Sequence, residues 1–537
     1  MKIFLVLSLL FYVRLSASES AHPNIIFILA DDLGWNDVSF HGSSQILTPN
    51  LDVLAYSGII LNNYYVMPLC TPSRSALMTG KHPIHNGMQH GVLYGGEPRG
   101  LPLNETILPQ YLKRLGYSTH IVGKWHLGSY KKEYTPTYRG FDSHLGFWTG
   151  HHDYFDHTAM ENGAWGLDIR RNMEVAWDLH GDYSTDIFTK EAEKIINNHN
   201  ISNPLFLYFA HSAVHSANPY NPLPSPDNYV AKLSNITNYN RRRFAGVLTK
   251  MDESVGKVVQ VLQKNNMLKN SIIIFSSDNG GPANGFNLNA ASNWPLRGVK
   301  NTLWEGGVKA AGFLWSPLIR EKQRVALQMM HISDWLPTLY HAAGGDVKDL
   351  SEIDGYNLWP SLSTNTDSPR KEILHNIDEK VGNSAITVGE WKFINGSTYH
   401  GAWDYWYGPN GRSFTYNIKT VLTCSAGKAL SNISEIATES TIKSLRGKAE
   451  INCPKYKEDN VSATVCKPLN APCLFNIEKD PCEKNNLAQE YPNILNDLQS
   501  RLDFWKKTAV PPGNLPLDPK GNPRYWQYTW TNFGDFI

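Results

Sequence analysis

The sequence predicts an α/β fold in which helices flank a large, mostly parallel sheet, followed by a smaller antiparallel sheet domain. Three observations support this. Continuous apolar runs, typical of strands buried on both faces, alternate with helical segments up to about residue 345. Later segments are short and β-like, with dense aromatic, Gly and Asn residues. A chain of 537 residues also exceeds what one compact core usually holds. We therefore expect a large domain over residues 19–345 and a smaller one over residues 346–537.

The elements follow from apolar runs and from the residues that bound them. The strands predicted for the large sheet are residues 24–30, 118–122, 204–210 and 271–276. The predicted helices are residues 50–55, 106–115 and 243–263. Thr48 is placed to cap the first helix and Gly58 to end it. In the smaller domain, residues 384–389 and 391–394 have the composition of short strands.

The N-terminus is typical of a secretory signal peptide over residues 1–18. Lys2 precedes an apolar run over residues 3–13, and Ser16-Ala17-Ser18 gives a cleavage context. The run is too short to span a bilayer, and no later segment is apolar enough to do so. Asn-X-Ser/Thr triplets, which fit the same route, start at Asn104, Asn200, Asn235, Asn395, Asn432 and Asn460. We expect a secretory-pathway protein without a transmembrane segment, either extracellular or lysosomal.

The overall charge excludes some partners. Formal net charge is +1, from 50 basic and 49 acidic residues. A chain-wide basic field for nucleic acid or membranes is therefore absent, and we expect no nucleic-acid partner. Any anion-binding site must come from a local cluster of cations.

The cysteines are unevenly distributed. Cys70 stands alone in the first 420 residues. The late cysteines are Cys424, Cys453, Cys466, Cys473 and Cys482. In an oxidising compartment this late group should form disulfides, and Cys473 and Cys482 flank a plausible small loop. Because the late group is odd in number, one member is free or pairs elsewhere.

Acidic and amide side chains follow two of the predicted strands. Asp31 and Asp32 come directly after the first strand, and Asp278 and Asn279 follow the strand at residues 271–276. Ligands of open α/β sheets bind outside the carboxyl ends of the strands. One such pair alone is better explained as a cap of the next turn. Two pairs in equivalent places favour a hard divalent cation, Ca²⁺ or Mg²⁺.

The stretch from Cys70 to Gly80 reads Cys-Thr-Pro-Ser-Arg-Ser-Ala-Leu-Met-Thr-Gly. It resembles the sulfatase signature, Cys-x-Pro-Ser-Arg followed by Thr-Gly. Further matching blocks lie at residues 30–35, 123–128, 293–298, 303–307 and 473–483. The resemblance covers nearly the whole chain after the signal peptide and is strongest towards the arylsulfatase B-like (N-acetylgalactosamine-4-sulfatase) group. It implies the alkaline-phosphatase-like superfold.

The resemblance also implies a modified nucleophile and a metal ion. In this family the signature Cys is oxidised in the endoplasmic reticulum to Cα-formylglycine, so a formylglycine-generating enzyme is an expected partner of Cys70 during secretion. Asp31, Asp32, Asp278 and Asn279 would bind one Ca²⁺ per chain, which the modified Cys70 also reaches. The oligomeric state stays open, with a homodimer as one option.

Five further residues receive roles from the same resemblance. Arg74 would hold the formylglycine hydrate, and His126 would contact it. Lys124 and Lys300 would bind sulfate oxygens, and His215 would lie at the leaving-group oxygen. One well-placed hydrogen-bond donor stabilises a transition state by roughly 2.7–4 kcal/mol. Enzymatic rate enhancements need the activation free energy to fall by about 8–23 kcal/mol. Several cations must therefore act together, and a helix opening near Pro72 would add its positive end.

The implied chemistry uses the two hydroxyls of a hydrated aldehyde. One attacks sulfur and expels the alcohol, giving a covalent sulfo-enzyme. The second loses its proton, the aldehyde re-forms and sulfate leaves. A protonated His215 can donate to the leaving oxygen. His211 is interpreted as structural, because the sequence after it indicates a loop rather than a helix.

Two departures leave the substrate open. The loop over residues 91–99 lacks the cysteines expected from the relatives, and His151 stands where they tend to carry Ser. Sulfated sugars, aryl sulfates and plant glucosinolates therefore remain alternatives. Two rival functions are a phosphodiesterase or phosphonate monoester hydrolase of the same superfold and a non-catalytic secreted glycoprotein. The second predicts loss of Cys70, Arg74, Lys124 or a metal ligand, and none of these is lost.

Overall fold

The computed structural model describes residues 22–453 and 465–537. The predicted signal peptide and the triplet at Asn460 lie outside the described residues. The α-helices are α1 (Pro49–Ser57), α2 (Cys70–Thr79), α3 (Leu108–Arg114), α4 (Ser184–Asn197), α5 (Asp227–Ala231), α6 (Tyr239–Lys264), α7 (Glu305–Val308), α8 (Trp335–Ala342), α9 (Trp359–Thr364), α10 (Ile418–Thr423), α11 (Ser425–Asn432), α12 (Glu439–Ala449) and α13 (Pro492–Thr508). The strands are β1 (Asn24–Ala30), β2 (Ile59–Leu61), β3 (Tyr64–Tyr65), β4 (Ser118–Lys124), β5 (Ser143–Phe147), β6 (Thr158–Glu161), β7 (Ala164–Leu167), β8 (Arg170–Arg171), β9 (Glu174–Val175), β10 (Leu205–Ala210), β11 (Ser271–Ser277), β12 (Gly312–Trp315), β13 (Arg324–Ala326), β14 (Met330–His331), β15 (Glu372–Asp378), β16 (Asn383–Val388), β17 (Trp391–Asn395) and β18 (Cys473–Asn476).

A ten-stranded sheet forms the centre of the protein, in the order β13-β2-β12-β11-β1-β10-β4-β5-β8-β9. The strands from β11 to β5 in this order run parallel to their neighbours. Antiparallel partners join at both ends of this parallel group, β12 beside β11 and β8 beside β5. The predicted large, mostly parallel sheet is confirmed.

Strand β1 shows why the central strands read as unbroken apolar runs. Ile26 and Ile28 pack in the core cluster that contains residues of α1, α4 and α6. Phe27 and Leu29 pack in the opposite cluster, with residues of α2, α3 and α8. Because successive side chains point to opposite faces, a strand covered by helices on both sides needs apolar residues at every position.

A four-stranded antiparallel sheet, β15-β16-β17-β18, confirms the predicted smaller sheet. Leu498 and Leu502 of α13 pack with Phe393 on this sheet. Helices α10, α11 and α12 belong to the same part of the sequence, but their apolar residues pack in the core cluster of α1 and α6. The division of the chain at residue 345 stays a prediction.

The start of α1 differs from its prediction. Thr48 occupies the N-cap position, but its side chain makes no cap hydrogen bond. The hydroxyl instead donates to Asp52 Oδ1 at 2.9 Å. Asp52 is buried, and its carboxylate also accepts from Ser39 and Tyr416. The Thr48 hydroxyl therefore satisfies this carboxylate rather than an amide of the helix.

The expected loop between Cys473 and Cys482 is wrong. The disulfides are Cys453–Cys482 and Cys466–Cys473, with Cα–Cα distances of 5.6 and 5.8 Å. Cys473 opens the extended strand β18, which carries the chain away from it, and its side chain packs beside Cys466 in one apolar cluster. Cys424 is the late cysteine that stays free.

The surface shows two features relevant to the secretory prediction. Among the described residues, no helix combines the length and apolarity that crossing a bilayer requires. Asn104, Asn200, Asn235 and Asn432 are exposed, and Asn395 is partly exposed. The described acceptor triplets are therefore accessible.

Candidate active site

Four adjacent parallel strands bring the predicted site residues together. Strands β11, β1, β10 and β4 lie side by side, so their carboxyl ends meet at one edge of the sheet. The residues at this edge are Asp31 and Asp32 after β1, Asp278 and Asn279 after β11, Lys124 at the end of β4, and His215 in the loop after β10.

Helix α2 supplies the thiol and a guanidinium from one turn. Cys70 is its first residue, Arg74 follows one turn later, and both are buried. The helix ends at Gly80, whose φ of 67° lies in the left-handed region that glycine adopts without cost. The positive end of the α2 dipole thus lies at Cys70.

The thiol lies among carboxylates. Cys70 Sγ is 3.5 Å from Asp31 Oδ1 and 4.0 Å from Asp32 Oδ1. Ligand atoms of Asp31, Asp32, Cys70 and His215 all lie within 4.8 Å of one another. Such a group of donors is suited to a cation.

Three cations face three carboxylates at short range. Lys124 Nζ is 2.6 Å from Asp31 Oδ2, and Lys300 Nζ is 2.6 Å from Asp32 Oδ1. The third cation, Arg74 on α2, has its Nη2 2.9 Å from Asp278 Oδ2. With these groups ionised, their formal charges cancel.

Burial and these ion pairs decide which groups are charged. Burial works against ionisation of Asp32, but Lys300, His215 and the Asn279 hydrogen bond together outweigh it, and the pKa of Asp32 lies below its ordinary value. Burial raises the pKa of Asp278, although Arg74 opposes this. Burial also raises the pKa of the Cys70 thiol, against the effect of Lys124 and Lys300. An unmodified Cys70 is therefore a neutral thiol.

The hydrogen bonds of the two histidines identify their tautomers. His126 Nε2 lies 3.0 Å from the Leu93 carbonyl and donates to it, which leaves His126 Nδ1 as a buried acceptor without a partner among the described residues. His215 Nδ1 lies 2.6 Å from the Ser216 carbonyl and donates to it. The His215 Nε2 lone pair then faces Asp32 Oδ2 at 3.4 Å.

Burial disfavours the charged form of both histidines. Burial lowers the pKa of His215 to about 3, and burial together with Lys124 lowers the pKa of His126. Lys300 is the main cation that lowers the pKa of Asp32. Since the bare His215 Nε2 and the Asp32 carboxylate are both acceptors, their contact favours a cation or a proton between them.

Side-chain exposure locates the entrance of the site. The side chains of Asp31, Arg74 and Lys124 are fully buried. Lys300 is 5% exposed and His215 20% exposed. The site therefore opens on the side of Lys300 and His215.

Three residues near the site stand in no motif, and sequence singled out only His151 among them, as a departure from the relatives. The His151 and His215 rings stack with centroids 5.9 Å apart. Glu161 accepts from the amides of Gly95 and Gly150, at 2.6 and 3.1 Å, and so ties two loops together. Phe286 lies beside Lys300, whose Nζ is 5.6 Å from its ring centroid.

Comparisons with known proteins show which family the chain is similar to. Residues 23–345 match the family model described as Sulfatase. The chain is 40% identical over 532 residues to arylsulfatase J of Mus musculus, covering 95% of this chain and 80% of the relative. It is 31% identical over 362 residues to N-acetylgalactosamine-6-sulfatase of Homo sapiens, covering 63% and 66%. A crystal structure of Ps i-CgsB in complex with k-i-k-neocarrahexaose has a TM-score of 0.70 and 27% identity, covering 94% of this chain and 97% of that one.

Proposed function

Because the chain belongs to the sulfatase family and is a sulfuric ester hydrolase, we propose that it cleaves sulfate monoesters at Cys70, after conversion of Cys70 to Cα-formylglycine and with one Ca²⁺ bound. The observation that carries this proposal is the position of Cys70 Sγ, 3.5 Å from Asp31 Oδ1 and 3.4 Å from Lys300 Nζ. Nucleophile, anion-binding cation and metal-type ligands meet at one point.

The residues present fit a calcium ion. Asp31, Asp32, Asp278 and Asn279 offer oxygen donors of the kind Ca²⁺ prefers, and the modified Cys70 would add another. Asn279 Oδ1 is buried and has no hydrogen-bond partner among the described residues. A half-turn of this amide would direct its oxygen towards Asp32, an orientation that a cation between them favours.

Calcium would also make the site an anion receptor. The three carboxylates and three cations balance each other, so a divalent ion adds two positive charges to a buried pocket. A sulfate monoester carries its negative charge on the three oxygens that Lys124 and Lys300 would bind. In such a low-dielectric site these interactions are stronger than in water.

The modified Cys70 explains how the site acquires a nucleophile. A neutral buried thiol is a weak one, because the thiolate is the reactive form. The hydrated aldehyde supplies two hydroxyls on one carbon, one to attack sulfur and one to restore the aldehyde as sulfate leaves. His126 Nδ1 is free to accept a hydroxyl proton, and Arg74 would hold the hydrate.

His215 would lie at the leaving-group oxygen and act on the departing alcohol. Its Nδ1–H is engaged by the Ser216 carbonyl, so only a proton gained at Nε2, the atom that faces Asp32, could pass to the leaving oxygen. His215 is also the most exposed of the proposed catalytic residues, which suits a group that meets the alcohol half at the entrance.

The substrate is proposed as a sulfated sugar, an aryl sulfate or a related small molecule. The names of the relatives, arylsulfatase and N-acetylgalactosamine-6-sulfatase, support these classes, and a plant glucosinolate is a further candidate. The 4-sulfatase group stays a prediction. We also propose a secretory route, ending outside the cell or in lysosomes, during which a formylglycine-generating enzyme acts on Cys70. The exposed acceptor triplets support this route.

The first experiment tests Cys70. We expect mass spectrometry of peptides spanning residues 68–81, from protein secreted by eukaryotic cells, to show an aldehyde at Cys70. Cys70→Ser should fold but release no sulfate from 4-nitrophenyl sulfate, because it lacks the second hydroxyl. Cys424→Ser, which changes the free cysteine outside the site, should keep wild-type turnover. An unmodified thiol in active enzyme would refute the mechanism, and faster turnover of 4-nitrophenyl phosphate would favour a phosphate-ester hydrolase.

The second experiment tests calcium. Calorimetric titration of chelator-treated enzyme should give one Ca²⁺ per chain. Asn279→Ala should weaken this binding by at least tenfold, since ligand and supporting groups each contribute about that much to metal affinity. Asn62→Ala is the control, because Asn62 also has a buried amide oxygen without a described partner but lies outside the site. Absence of binding at millimolar calcium, or equal affinities for the three proteins, would contradict the assignment.

A further inference from the structure

Three aromatic side chains from distant parts of the sequence form one surface, here called the aromatic wall. It consists of Phe286, Tyr399 and Trp403. The Tyr399 and Trp403 ring centroids are 3.8 Å apart, and those of Phe286 and Trp403 are 4.7 Å apart. Tyr399 is 49% exposed, and the other two are partly exposed. Aromatic rings normally bury their faces, so a partly exposed cluster of three is a candidate surface for a ligand.

The aromatic wall begins at the entrance of the site. The Phe286 ring lies against Lys300, which is one of the two site residues that reach the opening. A molecule with its sulfate at Lys300 therefore extends over the aromatic wall.

Hydrogen bonds fix the aromatic wall to the reacting centre from two sides. Asn287, next to Phe286, donates to the Ala217 carbonyl at 2.6 Å, which ties the wall to the loop of His215. Asn301, next to Lys300, donates to the Tyr399 hydroxyl at 3.3 Å. The wall is thus held between the sulfate-binding lysine and the residue proposed to meet the leaving oxygen.

We infer that the aromatic wall binds the alcohol half of the substrate by stacking on a ring that presents a flat apolar face, either a pyranose or an aryl ring. This inference rests on the proposed function and narrows it to ring-bearing sulfate esters. The wall carries no charged side chain of its own, so it recognises shape and apolar surface rather than a second anion. Acyclic alkyl sulfates leave it uncovered.

The test compares variants that remove or keep the ring. Tyr399→Leu and Trp403→Leu should each lower kcat/KM about five- to tenfold for 4-nitrophenyl sulfate, N-acetylgalactosamine 6-sulfate or both. Tyr399→Phe keeps the ring and loses only the contact with Asn301, so it should stay near wild type. Trp177→Leu, an aromatic residue 57% exposed and outside the wall, is the control.

Inorganic sulfate separates the wall from the anion site. It has no ring, so its inhibition constant should be the same in wild type, Tyr399→Leu and Trp403→Leu. If kcat/KM falls more for the sugar ester than for the aryl ester, the aromatic wall binds a pyranose; if it falls more for the aryl ester, the wall binds an aryl ring. Unchanged kcat/KM for both esters, or an equal loss of inorganic sulfate binding, would overturn the inference.

Binding measurements keep this test independent of turnover. In a Cys70→Ser background, Tyr399→Leu should weaken calorimetric binding of the ring-bearing esters by the same factor. Wild-type protein that binds these esters at the wall but releases no sulfate would contradict the proposed reaction alone. Unchanged affinity for the esters in the Tyr399→Leu and Trp403→Leu variants would contradict the proposed role of the aromatic wall alone.

Discussion

Lys124 and Lys300 each neutralise one carboxylate of the site, yet their surroundings differ. Lys124 and its partner Asp31 are both fully buried. Lys300 lies at the entrance, 2.6 Å from Asp32 Oδ1 and 3.4 Å from Cys70 Sγ. We therefore expect water to reach Asp32 once Lys300 is removed, and Asp31 to stay buried once Lys124 is removed. The two lysines should therefore contribute differently to stability and to turnover.

We predict that Lys300→Ala loses activity with little loss of stability. A donor aimed at developing charge contributes roughly 2.7–4 kcal/mol, so kcat/KM for 4-nitrophenyl sulfate should fall about 100- to 1000-fold. Lys124→Ala should in addition lower the free energy of unfolding by about 3–5 kcal/mol, because buried Asp31 loses its partner at 2.6 Å and keeps a longer contact with Arg74 Nη2 at 3.8 Å. Steady-state kinetics and urea denaturation of calcium-free protein measure the two effects.

Lys113→Ala is the control for both lysines, since Lys113 pairs with Asp142 on the surface with 46% of its side chain exposed. It should match wild type in kinetics and within about 1 kcal/mol in stability. Wild-type kcat/KM for Lys300→Ala would remove Lys300 from the site. Equal destabilisation by Lys300→Ala and Lys124→Ala would show that exposure does not separate them.

Among single residues, the sequence could predict those that belong to a motif or directly follow an apolar run. Asp31 and Asp278 follow predicted strands, and Cys70 stands in a distinctive signature. Glu161 and Phe286 have no such context, because Glu161 ends a strand of a separate two-stranded hairpin and Phe286 lies in an irregular loop. Only folding shows that they adjoin the site.

Among the elements, the segment after β17 supports the loop that carries Lys300. Arg297 stacks on Trp304 and Trp406, with its guanidinium carbon 3.7 and 4.9 Å from the ring centroids. The Trp304 indole donates to Asp404 Oδ1 at 2.8 Å. Both ends of this loop are thus attached to residues of the later part of the chain.

A buried ion cluster continues this support. Lys392 of β17 lies 2.9 Å from Glu305 Oε1 and 2.9 Å from Glu483 Oε1, and all three side chains are fully buried. Such clusters cost desolvation and gain little stability over apolar residues, but they require one arrangement of the groups they join. Here the cluster joins the small sheet to the start of α7, directly after the Lys300 loop.

The same elements show what sequence patterns can and cannot predict. Strands β1, β10 and β11 were predicted within one or two residues, because burial on both faces demands continuous apolar runs. The packing of α10–α12 on α1 and α6 was not, since an amphipathic helix does not specify its partner. The disulfide pairing likewise depended on the path of β18, which spacing does not encode.

For the whole molecule, the last residues matter because they return to loops after α2 and to the β6–β7 hairpin. The amides of Val510, Gly513 and Asp518 donate to the carbonyls of Ile84, Gly87 and Gly96. Trp530 then pairs through its backbone with Leu167 and is 3% exposed. This tail therefore covers the loop over residues 91–99, in which the Leu93 carbonyl holds His126.

We predict that removing the tail weakens both the fold and the site. A chain ending at Thr508 loses the burial of Trp530 and Phe533, and truncation of one buried aromatic residue already costs about 3–5 kcal/mol. Its urea midpoint should fall, and kcat/KM should fall with it because His126 loses its fixed support. A chain ending at Asp535 loses only Phe536 and Ile537, which are 63% and 54% exposed, and should match wild type. If the shorter chain unfolded at the wild-type midpoint, the tail would be an accessory segment, and the support of His126 would have to come from within the large sheet and its loops alone.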